Sequence, residues 1–245
     1  MCTVSWVPLP SGYALAMNRD ERRNRAPGEP PSRRVLAGVP VLTPRDREAG
    51  GSWLTVNAHG LTLALLNRYE DTPHDGGAGS VSRGLLVLEL APAADAAAIA
   101  VALAEHDLKR YRPFTLVAVG PEPSAGLFDW NGQQLSRAPG QGAGLLAASS
   151  GADQQGAVAA RSAVFAAAAA RHGGLTAELL AELHRSHLPA RGPLSICMHR
   201  EEAVTVSSAL VTVSPSEVRL RQVEGSPCEG GPVSELSLPR EGNAA

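Results

Sequence analysis

The chain has few cysteines, no long apolar run and almost no net charge, and each shortage excludes a class of function. Three cysteines among 245 residues provide neither a disulfide framework nor a paired C-x2-C metal motif. A reducing, cytoplasmic location is therefore expected, with no metal or other cofactor. No apolar stretch is long enough to cross a bilayer, and no signal peptide is visible. A formal net charge of −2 provides no attraction to nucleic acid or anionic membranes.

Strand-length segments follow one another in hairpins, and two helix pairs are inserted between groups of strands. The helices are predicted over residues 80–90, 94–106, 157–172 and 176–187. This order predicts an α+β fold with mostly antiparallel sheets and argues against a doubly wound parallel sheet.

Turn-forming composition predicts where regular structure is interrupted. The arginine- and proline-rich residues 22–40 and the glycine-rich residues 69–79 are predicted as loops. Residues 195–198 are predicted as a strand. One domain is expected over residues 1–224, and residues 225–245 are expected to be a flexible tail.

The first two predicted strands bring a polar cluster to the start of the chain. Residues 3–8 and 13–19 are strand-like, and the four residues between them are turn formers. The hairpin register places Cys2 opposite Arg19, and a slip of one residue would place it opposite Asn18 or Asp20.

Cys2 could act as a nucleophile because it follows the initiator methionine directly. Methionine aminopeptidases remove Met1 when the next residue is small, as cysteine is. The new α-amine would have a reference pKa of about 7.7–8.0. It could accept the proton of the thiol on the same residue, which is the nucleophile–base pair of N-terminal-nucleophile chemistry.

Six short motifs together carry a family resemblance. In chain order they are Met1-Cys2-Thr3, Asn18-Arg19-Asp20-Glu21, Gly51-Ser52-Trp53-Leu54, Asn57 with Gly60-Leu61, Leu65-Leu66-Asn67-Arg68 and Ser82-Arg83-Gly84. With them the chain resembles the NRDE family, also called the Transport and Golgi Organisation protein 2 family. That family is similar to the cysteine N-terminal-nucleophile hydrolases, which include penicillin V acylases and bile salt hydrolases. The resemblance implies a four-layer αββα sandwich with the nucleophile at the start of a central strand.

The resemblance also implies roles for individual residues. Catalytic roles fall on Cys2, Arg19, Asp20, Glu21 and Asn67. Arg19 would lower the pKa of the thiol, Asp20 or Glu21 would hold the α-amine, and the Asn67 backbone N–H would meet the oxyanion. Substrate-binding roles fall on Asn18, Trp53 and Ser149.

The sequence departs from the family pattern at two places. Ser149-Ser150 stands where the family commonly has Ser-Asn, so one oxyanion donor is changed. Val206-Ser207-Ser208 stands where an arginine is expected.

The histidines and the remaining cysteines are not predicted to form a site. His184 and His187 are predicted as surface residues of a helix. Cys197 and His199 share one face of the predicted strand, and a buried thiol beside a satisfied histidine is favoured over a haem or redox site.

Two functions follow. The first is an N-terminal-cysteine amidohydrolase that cleaves a non-peptide C–N amide bond of a small acylated substrate through a thioester. The alternative is a non-enzymatic carrier of an acyl-lipid or haem-like ligand on the same fold.

Overall fold

The computed structural model describes residues 2–69, 81–120, 124–140 and 142–241. Within them the strands are, in chain order, Cys2–Leu9 (β1), Gly12–Arg22 (β2), Glu29–Leu36 (β3), Val39–Arg45 (β4), Leu54–Asn57 (β5), Thr62–Asn67 (β6), Phe114–Val119 (β7), Ala125–Trp130 (β8), Leu135–Pro139 (β9), Gly144–Ser149 (β10), Ala203–Val213 (β11), Glu217–Glu224 (β12) and Val233–Pro239 (β13). The α-helices are Arg83–Leu90 (α1), Ala96–Glu105 (α2), Gln154–His172 (α3) and Ala177–Arg185 (α4).

These strands form two antiparallel sheets. The first has the order β10-β1-β2-β11-β12-β13, and the second runs from β3 to β9 in chain order. The β1–β2 register pairs Cys2 with Arg19 and Pro8 with Tyr13, which confirms the predicted hairpin. The residue after the β1–β2 turn is Gly12, and only glycine fits there because an added Cβ would lie 2.0 Å from the carbonyl oxygen of Val213.

Alternation along β1 and β2 divides their side chains between two cores. Val4, Trp6 and Met17 point toward the second sheet and pack in the core between the sheets. Val7 and Ala16 point the other way, toward α3 and α4. On the outer face of the second sheet, leucine-rich α1 and alanine-rich α2 form a third core. The predicted four-layer αββα sandwich is therefore confirmed, with β1 and β2 buried on both faces.

Three predictions of local structure were wrong. Residues 22–40 contain β3, an edge strand that tolerates Pro30 and Pro31 because an edge strand leaves part of its backbone unpaired. Residues 195–198 are not a strand, because the Cys197 N–H donates to the carbonyl of Ser186 in a neighbouring loop. The predicted tail contains β13, which pairs with β12 from Val233 onward.

Other sequence predictions concern parts of the chain that the structure does not cover. The predicted loop at 69–79 lies, beyond residue 69, outside the described residues, as do residues 242–245. Among the described residues, no helix combines the length and the apolar character needed to cross a membrane.

Candidate active site

Cys2 begins β1 in the interior of the first sheet, with a paired strand on each side. It lies opposite Arg19 of β2 and opposite Ser149 of β10. Its nitrogen donates a hydrogen bond to Ser149 Oγ over 3.0 Å, and the residue is 6% exposed. If Met1 is removed, this nitrogen becomes the α-amine. The sheet therefore fixes both the thiol-bearing residue and its nitrogen.

A cleft of about 370 Å³ opens beside Cys2. Among the residues that line it are Cys2, Arg19, Glu21, Trp53 and Asn67. These five of the predicted site residues come from the start of β1, the end of β2, the approach to β5 and the end of β6. The structure thus brings together residues that are far apart in the sequence.

Arg19 is held on the wall of the cleft by three neighbours. Its Nη2 lies 3.0 Å from Asp46 Oδ2 and 3.8 Å from Glu21 Oε1. Its guanidinium carbon lies 4.2 Å from the centroid of the Trp53 ring, which is a cation–π distance. Arg19 therefore orders the wall of the cleft through Asp46 and Trp53.

The pKa of the Cys2 thiol is raised above its ordinary value, chiefly because the residue is buried. The Asp20 carboxylate raises the pKa further, whereas a hydrogen bond from the Asp20 backbone lowers it. The expectation that Arg19 produces a low thiol pKa was therefore wrong. A buried thiol that keeps its proton needs a base close by when it reacts.

Asn18 and Asp20 point away from the cleft, because they alternate with Arg19 along β2. Asn18 Nδ2 donates to the carbonyl oxygens of His184 and Ile196, at 2.8 and 3.0 Å. The predicted substrate-binding role of Asn18 was therefore wrong, since this fully buried side chain joins β2 to the helical layer. Asp20 Oδ1 accepts a hydrogen bond of 2.6 Å from Thr205 Oγ1.

Arg161 of α3 is a site residue that the sequence analysis missed. Its side chain is fully buried, and Nη1 donates to Thr3 Oγ1 at 2.7 Å and to the Cys2 carbonyl at 3.4 Å. Nη2 lies 3.9 Å from Asp20 Oδ2. Burial raises the pKa of Asp20, and the charge of Arg161 opposes that rise. The spacing in the sequence was a signal of this burial. Arg161 lies four residues after Ala157 and four before Phe165, so all three share the buried face of α3.

His184 lies in the same helical layer, beneath the nucleophile strand. The prediction of a surface histidine was wrong, since His184 is fully buried. Its Nδ1 lies 3.0 Å from Asn18 Oδ1 and its Nε2 lies 2.8 Å from Ser5 Oγ. Because an amide oxygen only accepts, Nδ1 carries the proton and Nε2 accepts from the hydroxyl. Burial, and then the charge of Arg161, lower the pKa of His184 to about 3.

Two of the sequence motifs pack directly against each other beside the cleft. The Ser52 N–H donates to the Gly84 carbonyl over 2.9 Å. A Cβ on Gly51 would lie 2.3 Å from the Gly84 carbonyl carbon, and one on Gly84 would lie 2.8 Å from the Ser52 carbonyl oxygen. Glycine at both positions therefore lets the start of α1 approach the segment that carries Trp53.

A family model described as Transport and Golgi organisation 2 matches residues 1–153, which is more than half of the chain. The chain belongs to this family. The matched region contains the nucleophile hairpin, all six motifs and Ser149. A search of the curated proteins found no match.

Solved structures similar to this member of the family are amide hydrolases by name. A Caenorhabditis elegans N-acylethanolamine-hydrolyzing acid amidase ortholog has a TM-score of 0.60 and 11% identity, covering 86% of this chain and 92% of its own. A mutant of conjugated bile acid hydrolase from Clostridium perfringens has a TM-score of 0.52 and 10% identity, covering 100% and 99%. Penicillin V acylase from Agrobacterium tumefaciens has a TM-score of 0.51 and 9% identity, covering 96% and 91%. At identities this low, the TM-scores show that the fold is shared.

The two departures from the family pattern can now be located. The Ser149 hydroxyl oxygen accepts a hydrogen bond from the Cys2 nitrogen. Ser207 lies on β11 opposite Arg19, and the buried cation next to the Cys2 backbone comes from α3 as Arg161.

A larger cavity of about 570 Å³ lies next to the cleft. Arg19, Glu21, Arg25 and Trp53 line both spaces, so these side chains form the wall between them. The larger cavity is also lined by small and apolar residues, which include Pro27, Gly28, Val204, Gly231 and Pro232.

The carboxylates of the cleft are already paired with arginines. Asp46 Oδ2 lies 2.8 Å from Arg25 Nη2 and 3.0 Å from Arg19 Nη2, and Glu21 lies 3.8 to 3.9 Å from the same two residues. A metal ion bound by these carboxylates would have to displace both cations.

Proposed function

We propose that the mature protein is an N-terminal-cysteine amidohydrolase that cleaves a non-peptide C–N amide bond of a small acylated substrate. The observation that carries this proposal is the position of Cys2, whose side chain borders the cleft while its nitrogen is bound to Ser149. The fold shared with amide hydrolases supports the same reaction class.

The reaction begins with attack of Cys2 Sγ on the amide carbonyl carbon. The α-amine left by removal of Met1 takes the thiol proton, which the raised thiol pKa makes necessary. Ser149 holds that amine beside the thiol. The ammonium then gives its proton to the leaving amine, the C–N bond breaks, and a thioester to Cys2 remains. Water hydrolyses the thioester and restores the thiol.

Asn67 is the proposed oxyanion donor, through its backbone N–H. It lines the cleft at the end of β6, on the second sheet, facing the nucleophile strand. Loss of one oxyanion donor typically costs about 10²–10³ in rate. Because serine replaces the asparagine expected after Ser149, we expect turnover to be slow relative to a full oxyanion hole.

The charges on the cleft favour a substrate with an anionic group. Four arginines line it, two of which, Arg83 and Arg112, lie apart from the ion pairs of Glu21 and Asp46. Arginine binds carboxylates and phosphates through paired hydrogen bonds. The apolar part of the acyl group would fit the larger cavity behind Trp53.

The first experiment tests maturation and acylation together. The intact mass of the purified protein should be lower than that of the full sequence by one methionine. Incubation with activated N-acyl amides that release a fluorescent amine should then add one acyl group to the peptide that begins at Cys2. Hydroxylamine should remove this group because it is a thioester.

Two variants separate the thiol from the amine. Cys2→Ala should abolish acylation. Insertion of a lysine between Met1 and Cys2 blocks methionine removal, so the thiol stays while the α-amine is lost, and acylation should fall sharply. Acylation that is unchanged by the insertion would refute the amine as base. Ligand binding without any acylation of the mature protein would instead support the carrier alternative.

The substrate charge is tested separately. Arg112→Gln should raise the KM for acyl amides that carry a carboxylate and leave neutral analogues unchanged. Arg171→Gln, an exposed charge on the last turn of α3, is the matched control and should change neither. Equal effects of Arg112→Gln on charged and neutral amides would contradict the anionic substrate.

A further inference from the structure

A second cluster of reactive side chains lies outside the cleft. His187, Cys197, His199 and Cys228 each direct one ligand atom to a common point, and these four atoms lie within 4.8 Å of one another. His199 Nε2 is 3.6 Å from Cys197 Sγ and 3.4 Å from Cys228 Sγ. The rings of His187 and His199 are 5.0 Å apart and nearly perpendicular.

These distances match the spacing of ligands around one tetrahedral metal ion. Zinc bonds of about 2.3 Å to sulfur and 2.0–2.1 Å to nitrogen place a sulfur and a nitrogen ligand about 3.6 Å apart. Both sulfur–nitrogen distances in the cluster lie within a few tenths of an ångström of that value. Side-chain adjustments alone would therefore complete the site.

An independent observation concerns His187. Its Nε2 atom is buried and has no hydrogen-bond partner among the described residues. A buried polar atom without a partner is costly, and coordination of a metal would satisfy it.

We propose that His187, Cys197, His199 and Cys228 bind one zinc ion. Two thiolates and two imidazoles are the ligand set of a closed structural zinc site, and the two thiolate charges neutralise the ion. Such a site has no free coordination position for substrate, so its role is to hold segments of the chain together.

The backbone already positions the ligands. The Cys197 N–H donates to the Ser186 carbonyl at 2.9 Å, and the His199 N–H donates to the Gly192 carbonyl at 3.2 Å. Cys228 comes from the turn after β12, where Ser226 Oγ donates to the Thr205 carbonyl at 3.0 Å. Cys197 is fully buried and the other three ligands are partly exposed, which leaves a route for the ion.

Coordination would change one contact of His199. Its Nδ1 lies 3.3 Å from Arg191 Nη2, which is a donor. With zinc on Nε2 the ring proton moves to Nδ1, and the exposed Arg191 has to turn away.

The site would connect the wall of the larger cavity to β2, the strand that carries Arg19 and Asp20. The segment after β12 lines the larger cavity through Ser226 and Glu229, on either side of Cys228. On the other side, the Met198 N–H donates to Thr205 Oγ1 at 2.8 Å, and that hydroxyl donates to Asp20. Zinc would therefore fix the cavity wall to the strand that carries Asp20.

The sequence analysis expected no metal because the ligands have no paired cysteine spacing. Three of them lie in the segment after α4, and the fourth lies in the turn between β12 and β13. Only the folded chain places them together.

Elemental analysis and cobalt substitution test the proposal. Protein purified without chelators under reducing conditions should contain about one zinc per chain. After zinc removal, Co²⁺ should give the intense visible bands of a tetrahedral site and a thiolate-to-metal charge-transfer band. Cys228→Ser and His199→Asn should each weaken zinc binding more than the 10–100-fold typical of losing an outer-shell partner. His172→Asn, an exposed histidine at the end of α3, should leave zinc content unchanged.

Each contrary result would overturn the site. Octahedral or absent cobalt bands in the wild type would exclude a tetrahedral thiolate site without reference to any variant. Zinc content that is unaffected by both ligand substitutions would place the ion elsewhere. A stable Cys197–Cys228 disulfide in the protein as purified under reducing conditions would show that the thiols pair with each other instead.

Discussion

Lowering the pH should destabilise this protein through His184. The residue lies on α4, fully buried against the nucleophile hairpin, and its two ring nitrogens form hydrogen bonds with Ser5 and Asn18. The ring of Phe165 packs 6.0 Å away, and Arg161 is the cation that lowers its pKa. A proton on Nε2 would face the positive charge of Arg161, and among the described residues no carboxylate forms an ion pair with His184, so the folded state keeps the ring neutral.

The size and sign of the effect follow from the two pKa values. The pKa of His184 is about 3 in the folded state and about 6.5 in an unfolded chain. The unfolded state therefore binds more protons between these values, and stability falls as the pH falls. The contribution is fully present above about pH 6.5, and at about pH 5 roughly 2 kcal/mol of the free energy of unfolding is lost.

Urea unfolding at about pH 7.5 and about pH 5 measures this loss. His184→Gln keeps a donor and an acceptor but cannot take up a proton. This variant should be less stable at the higher pH because of imperfect packing, but its further loss at the lower pH should be smaller than that of the wild type by about 2 kcal/mol. Because the pKa of Asp20 is raised in the folded state, Asp20 stabilises the protein as the pH falls. This contribution is present in both proteins, so it cancels when their losses of stability are compared.

His172→Gln provides the comparison, because His172 is exposed at the end of α3. It should retain the pH dependence of the wild type. If His184→Gln loses as much stability as the wild type between the two pH values, His184 is not a neutral buried histidine, and the hydrogen-bond assignment given above is wrong.

Three further outcomes are expected. Arg161→Met leaves a buried carboxylate without its cation, and it should lower the free energy of unfolding by about 3–5 kcal/mol in urea titrations. Gly84→Ala introduces a Cβ against backbone atoms of Ser52 and should lower the free energy of unfolding by at least about 1–3 kcal/mol. The control is Gly192→Ala, where no atom lies within 4 Å of the new Cβ, and it should leave the thermal midpoint unchanged. Cys2 should be alkylated faster than Cys197 at neutral pH, as measured by peptide mass spectrometry, because Cys2 lines the cleft whereas Cys197 is fully buried. Equal rates would show that the cleft gives no access to the Cys2 thiol.

The part of the site that could be predicted is the part made by neighbouring segments. A four-residue turn and two apolar strands were enough to place Cys2 opposite Arg19. The same register already implied that Asn18 points to the opposite face, since side chains alternate along a strand. The predicted substrate-binding role of Asn18 therefore conflicted with the predicted register itself.

The part that could not be predicted depends on distant segments. Arg161 reaches Thr3 across the helical layer, and no local pattern specifies which strand the buried face of α3 will cover. The edge strand β3 was hidden by its prolines, which would disqualify an interior strand but not an edge strand. The cysteine and histidine cluster depends on two segments, one after α4 and one after β12, that meet only in the folded chain.

The position of β1 sets the order of events during synthesis. This first strand pairs with β10, and its partner β2 pairs with β11, so the sheet around Cys2 closes only after residues near 149 and 213 have emerged. Contacts of such long range form slowly and late. The Cys2 nitrogen is accessible to an aminopeptidase while the chain is growing, and closure of the sheet then buries it. If Met1 is removed, removal precedes folding, and protein that folds with Met1 in place stays unprocessed.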